Sequence, residues 1–304
     1  MFAVGYRHSR YAESLQEFGS PFALPRCGGW LLQRQIPGQP ESDCTACYPI
    51  FACADWSQLG ADLDAIGERM VSVAVVTDPF GQYDERFLKH CFGDVVFPFK
   101  THYVVALDCP PETFVSSHHQ RNARNARQAV TVEVCDPPGQ FLDDWVALYQ
   151  TLIERHHIKG ISAFSRAAFV RQLEVPGIRA LRAISNGETV GMLLWYAQDG
   201  VGYYHLGAYN SLGYRLKASF ALFWSAIEYF SDMGLQWLSL GAGAGLKNEA
   251  DDGLSRFKRG WSTGEKTAYF CGRIFNPARY RQITEARGLV DATYFPAYRA
   301  GEFG

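Results

Sequence analysis

Scarcity in this chain excludes several classes at once. No run approaches the roughly 18 apolar residues of a membrane span. The longest apolar stretches, residues 190–197 and 220–227, read as a buried strand and a core helix. There is almost no excess charge of either sign: the net value of −2 argues against a broad nucleic-acid-coating surface, though not against a local basic groove. The first eight residues lack the apolar core of a secretory signal, so the expected compartment is the cytoplasm. Repeats and low-complexity tracts are absent as well. Among the 8 cysteines, Cys44-Thr45-Ala46-Cys47 has the spacing of one ligand pair, and Cys27 and Cys53 would complete a four-thiolate zinc set. A second close pair and a nearby histidine are both missing, so ordinary thiols are expected and no metal, with the zinc site as the alternative.

What is present is a globular composition, 47% hydrophobic and 20% charged over 304 residues, enough for two domains. Aromatics are plentiful (16 Tyr, 21 Phe), as in an enzyme with large cores and stacking sites. The first third reads as α/β, with strands over residues 28–36, 71–77 and 101–107 and a helix over 59–70. Thr113 or Ser116 caps a helix to about Val130, on which Arg121, Arg124 and Arg127 share one face. That stripe is either an anion or RNA contact or a solvated face. Pro137-Pro138-Gly139 marks a boundary, giving halves of 1–136 and 137–304. Beyond it come helices over 141–157 and 165–173, then strands over 178–184, 189–197 and 202–207, the first two joined by an Asn186-Gly187 turn. A long helix over 215–233, stopped by Gly234, precedes strands over 236–240 and 267–274.

The most informative stretch is Gly253-Leu254-Ser255-Arg256-Phe257-Lys258-Arg259-Gly260-Trp261, a short way beyond the glycine-rich strand exit Leu240-Gly241-Ala242-Gly243-Ala244-Gly245. Lys258, Arg256 and Arg259 offer positive charge and Phe257 an aromatic face. Such a set suits a nucleotide-bearing donor, whose phosphates need cations and whose base needs a stacking surface.

Strand, glycine-rich exit, acidic stretch and Phe-Lys element, in that order, resemble the end of the catalytic domain in FemAB-like acyltransferases of the GNAT superfamily. Arg124-Asn125-Ala126-Arg127, Tyr203-Tyr204-His205-Leu206-Gly207-Ala208 and Trp237-Leu238-Ser239-Leu240-Gly241 resemble further stations of the family pattern. The resemblance implies an α/β fold of two GNAT-like mixed-sheet halves in tandem, the first degenerate, and acyl transfer to an amine. FemAB members proper use aminoacyl-tRNA and a peptidoglycan precursor; other members use acyl-CoA. The coiled-coil arm of the cell-wall members is missing here, so the acceptor is expected to be another small-molecule or peptide amine. The CoA phosphate loop is also unclear, since Asn210-Ser211-Leu212-Gly213-Tyr214-Arg215 stands where it should fall.

Aminolysis of an activated ester needs a proton taken from the amine, an oxyanion held and a leaving group protonated. By resemblance Lys258 neutralises charge at the reacting ester or holds phosphate, and Phe257 stacks on the donor's terminal adenine. Arg256, Arg259, Gly241 and Gly243 complete the donor side. On the strand over 202–208, His205 titrates near neutral pH and is the candidate to relay the amine's proton, and Tyr204 is an acid or orienting group; both stand as catalytic candidates, with a core or rim histidine and a core tyrosine as the bland readings. Arg155, His156 and His157 end the helix where GNAT-like proteins usually contact the acceptor, although a helix C-terminus favours such charge without any function. Asp251 and Asp252 are further candidates to bind the acceptor amine. No tightly bound cofactor is expected. The co-substrate is aminoacyl-tRNA or, alternatively, acyl-CoA, and a third reading is a non-catalytic module binding tRNA or a metabolite.

Overall fold

Strands form where the sequence alternates apolar and polar residues, and helices where apolar positions recur every three to four. A computed structural model describes residues 3–243 and 252–302; Ala244, Gly245 and Asp251 fall outside them. In chain order the elements begin with helix α1 (Ser9–Ser14), strands β1 (Ser20–Leu24), β2 (Gly29–Gln35) and β3 (Ser42–Ala46), then α2 (Leu59–Ile66), β4 (Ser72–Val76), α3 (Glu85–Phe92) and β5 (Val95–Ala106). Next come α4 (Pro111–Phe114), α5 (Ser117–Ala129), β6 (Thr131–Cys135), α6 (Leu142–His156), α7 (Arg166–Gln172), β7 (Ile178–Ser185), β8 (Glu188–Gln198) and β9 (Val201–Tyr209). The last are α8 (Ser211–Arg215), α9 (Ala218–Asp232), β10 (Trp237–Ser239), α10 (Gly253–Arg259), β11 (Gly264–Ile274) and α11 (Pro277–Ala286).

The fold is α/β, and the chain divides into two compact units. The larger holds residues 1–5, 100–158 and 165–266; the smaller holds 6–99, 159–164 and 267–304. Helix α5 and strand β6, on the N-terminal side of the boundary expected at 137, lie in the larger unit together with α6 to α10.

In the smaller unit the strands run in the order β1-β2-β3-β4-β11, antiparallel except for the β3–β4 pair. Its core gathers Leu31, Phe51, Trp56, Leu63, Val73 and Phe92 with five buried cysteines, Cys27, Cys44, Cys53, Cys91 and Cys271. All 8 cysteines are free thiols. Burial holds Cys44 and Cys47 up at about 12, in the thiol form. Among the described residues no group of three or more His, Cys, Asp or Glu side chains could hold a metal.

In the larger unit the order is β5-β10-β9-β8-β7-β6. Every pair from β6 to β9 is antiparallel, β10 runs parallel to β9 and antiparallel to β5. Asn186 and Gly187 both have positive φ, as the expected tight turn requires. One sheet face carries Leu181, Leu193 and Trp195 against α9 and α5. On the other face Tyr196 reaches α7, its hydroxyl donating to Gln172 O at 3.2 Å. The long helix expected over 215–233 is α9, which begins at Ala218 and follows the short helix α8. Lys217 takes a left-handed conformation, φ 56°, and separates α8 from α9. Among the described residues no helix is long and apolar enough to cross a membrane.

Candidate active site

The site begins where two parallel strands part. Pairing between β9 and β10 covers only Val201↔Trp237, Gly202↔Leu238 and Tyr203↔Ser239. Past that point the chain stays with β5: Leu240 N–H donates to Tyr103 O at 2.8 Å, and Tyr103 N–H to Gly241 O at 3.1 Å. Strand β9 meanwhile continues along β8 as far as Tyr209. The gap so opened, from Tyr204 to Ala242, takes the amine of Lys258. Its Nζ donates to Ala242 O at 2.6 Å and lies 5.4 Å from the centre of the Tyr204 ring. Lys258 is 4% exposed. Burial lowers its pKa from the ordinary 10.5 to about 7, against the opposing influence of the Asp252 carboxylate.

Helix α10 delivers this lysine, and both flanks are shaped for it. Asp252 caps the helix, accepting from Leu254 N–H at 2.8 Å, Ser255 N–H at 3.0 Å and the Ser255 hydroxyl at 2.5 Å. Gly241 has φ +74°, and a Cβ there would stand 3.2 Å from Lys258 Nζ; one at Gly243 would strike Ser255 Oγ at 2.2 Å. The two glycines assigned to donor binding thus make room for Lys258 and for the helix cap.

Sequence reasoning passed over His102, which feels the Lys258 charge, and its two neighbours Lys100 and Ser239. Lys100 and His102 alternate along β5, and His102 Nδ1 lies 3.3 Å from Ser239 Oγ of β10. Burial first, then the charges of Lys258 and Lys100, bring the His102 pKa down to about 3, so the ring is neutral at physiological pH. Lys100 is lowered by burial too, and Asp252 opposes that shift. The one available signal was Lys100-Thr101-His102, two basic residues at strand spacing.

Of the two other catalytic candidates, only Tyr204 meets Lys258. Between β8 and β9 the register runs Leu194↔Leu206 and then Trp195↔Tyr204, so His205 is the extra residue of a β-bulge. Tyr204 packs with Trp195 and Phe223 on the α9 side. His205 stacks on Tyr196 at 5.1 Å, and its Nε2 donates to Gln172 Oε1 at 3.3 Å on the α7 side. Burial lowers its pKa to about 3. The proton relay expected of it near neutral pH therefore meets a ring held in its neutral form, too weak a base to take up a proton there, and away from the Lys258 amine.

Phe257 turns inward: its ring lies 5.1–5.5 Å from those of Phe223, Phe220 and His119. Arg256 is exposed; Arg259 donates to the Tyr103 hydroxyl at 3.2 Å. Arg155, His156 and His157 are exposed at the end of α6, with the Arg155 guanidinium 4.1 Å from the Tyr214 ring centre. Of the basic stripe, Arg127 pairs with Glu228 at 3.3 Å. An open groove of about 320 Å³ runs beside it, lined by Glu112, Gln120, Arg124, Arg127, Gln128 and Trp224.

Residues 116–259 match the family model of the acetyltransferase (GNAT) domain. Among solved structures, FemX superposes with a TM-score of 0.67 at 15% identity, covering 90% of this chain and 93% of its own. L-PGS from Bacillus licheniformis gives 0.60 at 14%, over 94% and 97%. The C-terminal domain of a putative lysylphosphatidylglycerol synthetase from Agrobacterium fabrum gives 0.59 at 14%, over 95% of both chains. No curated protein sequence matches the chain. The resemblance therefore holds as a likeness of fold: residues 116–259 match the GNAT domain, and FemX and L-PGS share the fold along nearly the whole chain.

Proposed function

We propose that the chain is an acyltransferase that forms an amide on a small-molecule or peptide amine, with aminoacyl-tRNA as the donor. The observation that carries this reading is the Lys258 amine, buried in the gap between parallel strands β9 and β10. At about 7, its pKa lets both protonation states exist near neutrality. The ammonium form stabilises the oxyanion that develops when the acceptor amine attacks the ester carbonyl. It also gives a proton to the departing ribose oxygen and, as the neutral amine, takes up the proton that the attacking nitrogen sheds, so the lysine ends the transfer as it began. The Tyr204 ring faces the ammonium, and Asp252 favours the charged form. The aminoacyl-tRNA donor follows from the FemAB-like resemblance of residues 253–261.

A second reading, with acyl-CoA as donor, is favoured by the family model over residues 116–259 and by the start of α9, where Lys217 gives the first amides no side-chain cap. Retention of a bulk aminoacyl-tRNA pool on the protein at moderate salt, with CoA as competitor, separates the two. Selective retention of one charged tRNA, indifferent to CoA, supports the first. No retention, together with thermal stabilisation by acetyl-CoA or a longer acyl-CoA, overturns it in favour of the second.

A further inference from the structure

Lys258 reaches its gap from a helix only 7 residues long, a length at which tertiary contacts rather than helical propensity decide where the backbone sits. The last turn of α10 leaves one carbonyl open. In a continuing helix Phe257 O would take the N–H of Trp261, but that N–H goes to Lys258 O at 3.0 Å. His119 of α5 supplies the missing donor: its Nε2 is 2.9 Å from Phe257 O. A carbonyl cannot donate, so Nε2 carries the proton, and Nδ1 accepts from the Ser116 hydroxyl at 2.8 Å. Ser116 Oγ also accepts from His119 N–H at 3.3 Å, closing the N-cap of α5 on the same ring. Next to it, Ser116 N–H donates to Gly260 O at 2.9 Å. The imidazole is 7% exposed and set between Phe220, Phe257 and Trp261, at 5.1, 5.5 and 5.0 Å. Only glycine fits opposite: a Cβ at Gly260 would stand 2.2 Å from the ring.

We propose that His119 is a positioning residue for the transfer reaction: by holding the Phe257 carbonyl it fixes the end of α10, and so keeps the adjacent Lys258 amine in the gap between β9 and β10. The idea rests on the role given to Lys258 above. It predicts that releasing α10 lets water reach that amine, while Asp252, His102 and Tyr204, the groups that act on it or face it, and Lys100, which acts on His102, stay as they are. Burial of the imidazole favours its neutral form, the one this arrangement uses.

The test follows Lys258 itself and needs no substrate. Protein labelled at lysine ¹³Cε is titrated by NMR, with the Lys258 signal assigned by its loss in Lys258→Ala. In the wild type a midpoint near 7 is expected. His119→Leu removes the donor, and Gly260→Ala displaces the ring without touching His119; in each the midpoint should rise by about one unit or more toward the ordinary lysine value. His119→Gln still offers an N–H to Phe257 O and should stay close to wild type. An unmoved midpoint in folded Gly260→Ala or His119→Leu protein overturns the proposal, as does a Gln variant that titrates like the Leu variant. A wild-type midpoint near 10.5 overturns the burial premise beneath both this inference and the role of Lys258. A shift in the variants alongside failed tRNA retention leaves the clamp standing and removes only the donor.

Discussion

Replacing Lys258 with methionine should stabilise the fold near neutral pH and make that stabilisation fade as the pH rises. In the unfolded chain the lysine keeps its ordinary pKa of 10.5, whereas in the fold it is lowered to about 7. Between those values the unfolded state binds more protons, so wild-type stability must rise with pH. Each pKa unit corresponds to about 1.4 kcal/mol. Burying the amine therefore costs about 4 kcal/mol at pH 7 and about 2 kcal/mol at pH 9. Methionine has a similar reach and no proton to lose. It forgoes the Nζ bond to Ala242 O, a loss of roughly 1 kcal/mol that does not vary with pH. Urea unfolding of both proteins at pH 7 and pH 9 isolates the proton-linked part. Wild type should gain about 2 kcal/mol on Lys258→Met across that interval. Parallel stability curves would refute the buried, depressed amine and with it the role proposed for Lys258; if that role is right, the methionine variant should also lose turnover.

Gly241→Ala forces a Cβ onto a φ of +74° and within 3.2 Å of Lys258 Nζ; it should lower stability by about 1–2 kcal/mol in urea unfolding and move the Lys258 titration. In the smaller unit, Arg299 binds Asp43 through two bonds of 2.6 and 2.7 Å with both side chains buried. Arg299→Ala leaves that carboxylate alone and should cost about 3–5 kcal/mol. Arg166→Ala, which breaks the exposed pair with Asp143, should cost about 1 kcal/mol or less in the same assay. Because burial holds His205 at about 3, the pH profile of any measured transfer should lack a His205 inflection at pH 6–7, and His205→Asn should leave the profile's shape unchanged. A shifted acidic limb in that variant would restore His205 as the proton relay.

The strands over 178–184, 189–197 and 202–207 were legible because burial on both faces and an Asn-Gly turn leave strong local marks. Strands β1, β3 and β6 were not: each is 5 residues long, and two of the three carry exposed positions with no clear alternation. The break between α8 and α9 rests on a left-handed lysine, a residue type that does not advertise positive φ. At the site, Lys258 was legible because its neighbours in sequence form the motif. Its neighbours in space were hidden. His102 and Ser239 are 137 positions apart and meet only because β10 pairs with β5. Strand alternation sends adjacent residues to opposite faces, which is why Tyr204 reaches Lys258 while His205 sits with α7.

Two buried cations show why Lys258, rather than the more strongly basic side chains, is the group to assign to chemistry. Arg299 lies in the core with a carboxylate beside it, two bonds to Asp43, and Glu302 at 3.3 Å. Such a pair holds a C-terminal segment against β3 and offers nothing to a substrate. Lys258 is equally buried, but its amine meets a backbone carbonyl and an aromatic ring, with Asp252 acting on it while also serving as the cap of α10. A cation so placed is relieved by giving up its proton, and a group poised between two protonation states is what acyl transfer at neutral pH requires. Arg256 and Arg259, which flank it in the motif, are exposed guanidinium groups. They suit attraction of a polyanionic donor toward the gap, not proton exchange within it. If that division of labour is right, raising the salt concentration should weaken donor binding in wild type and much less in an Arg256→Ala, Arg259→Ala double variant, while leaving the Lys258 titration of both nearly unchanged.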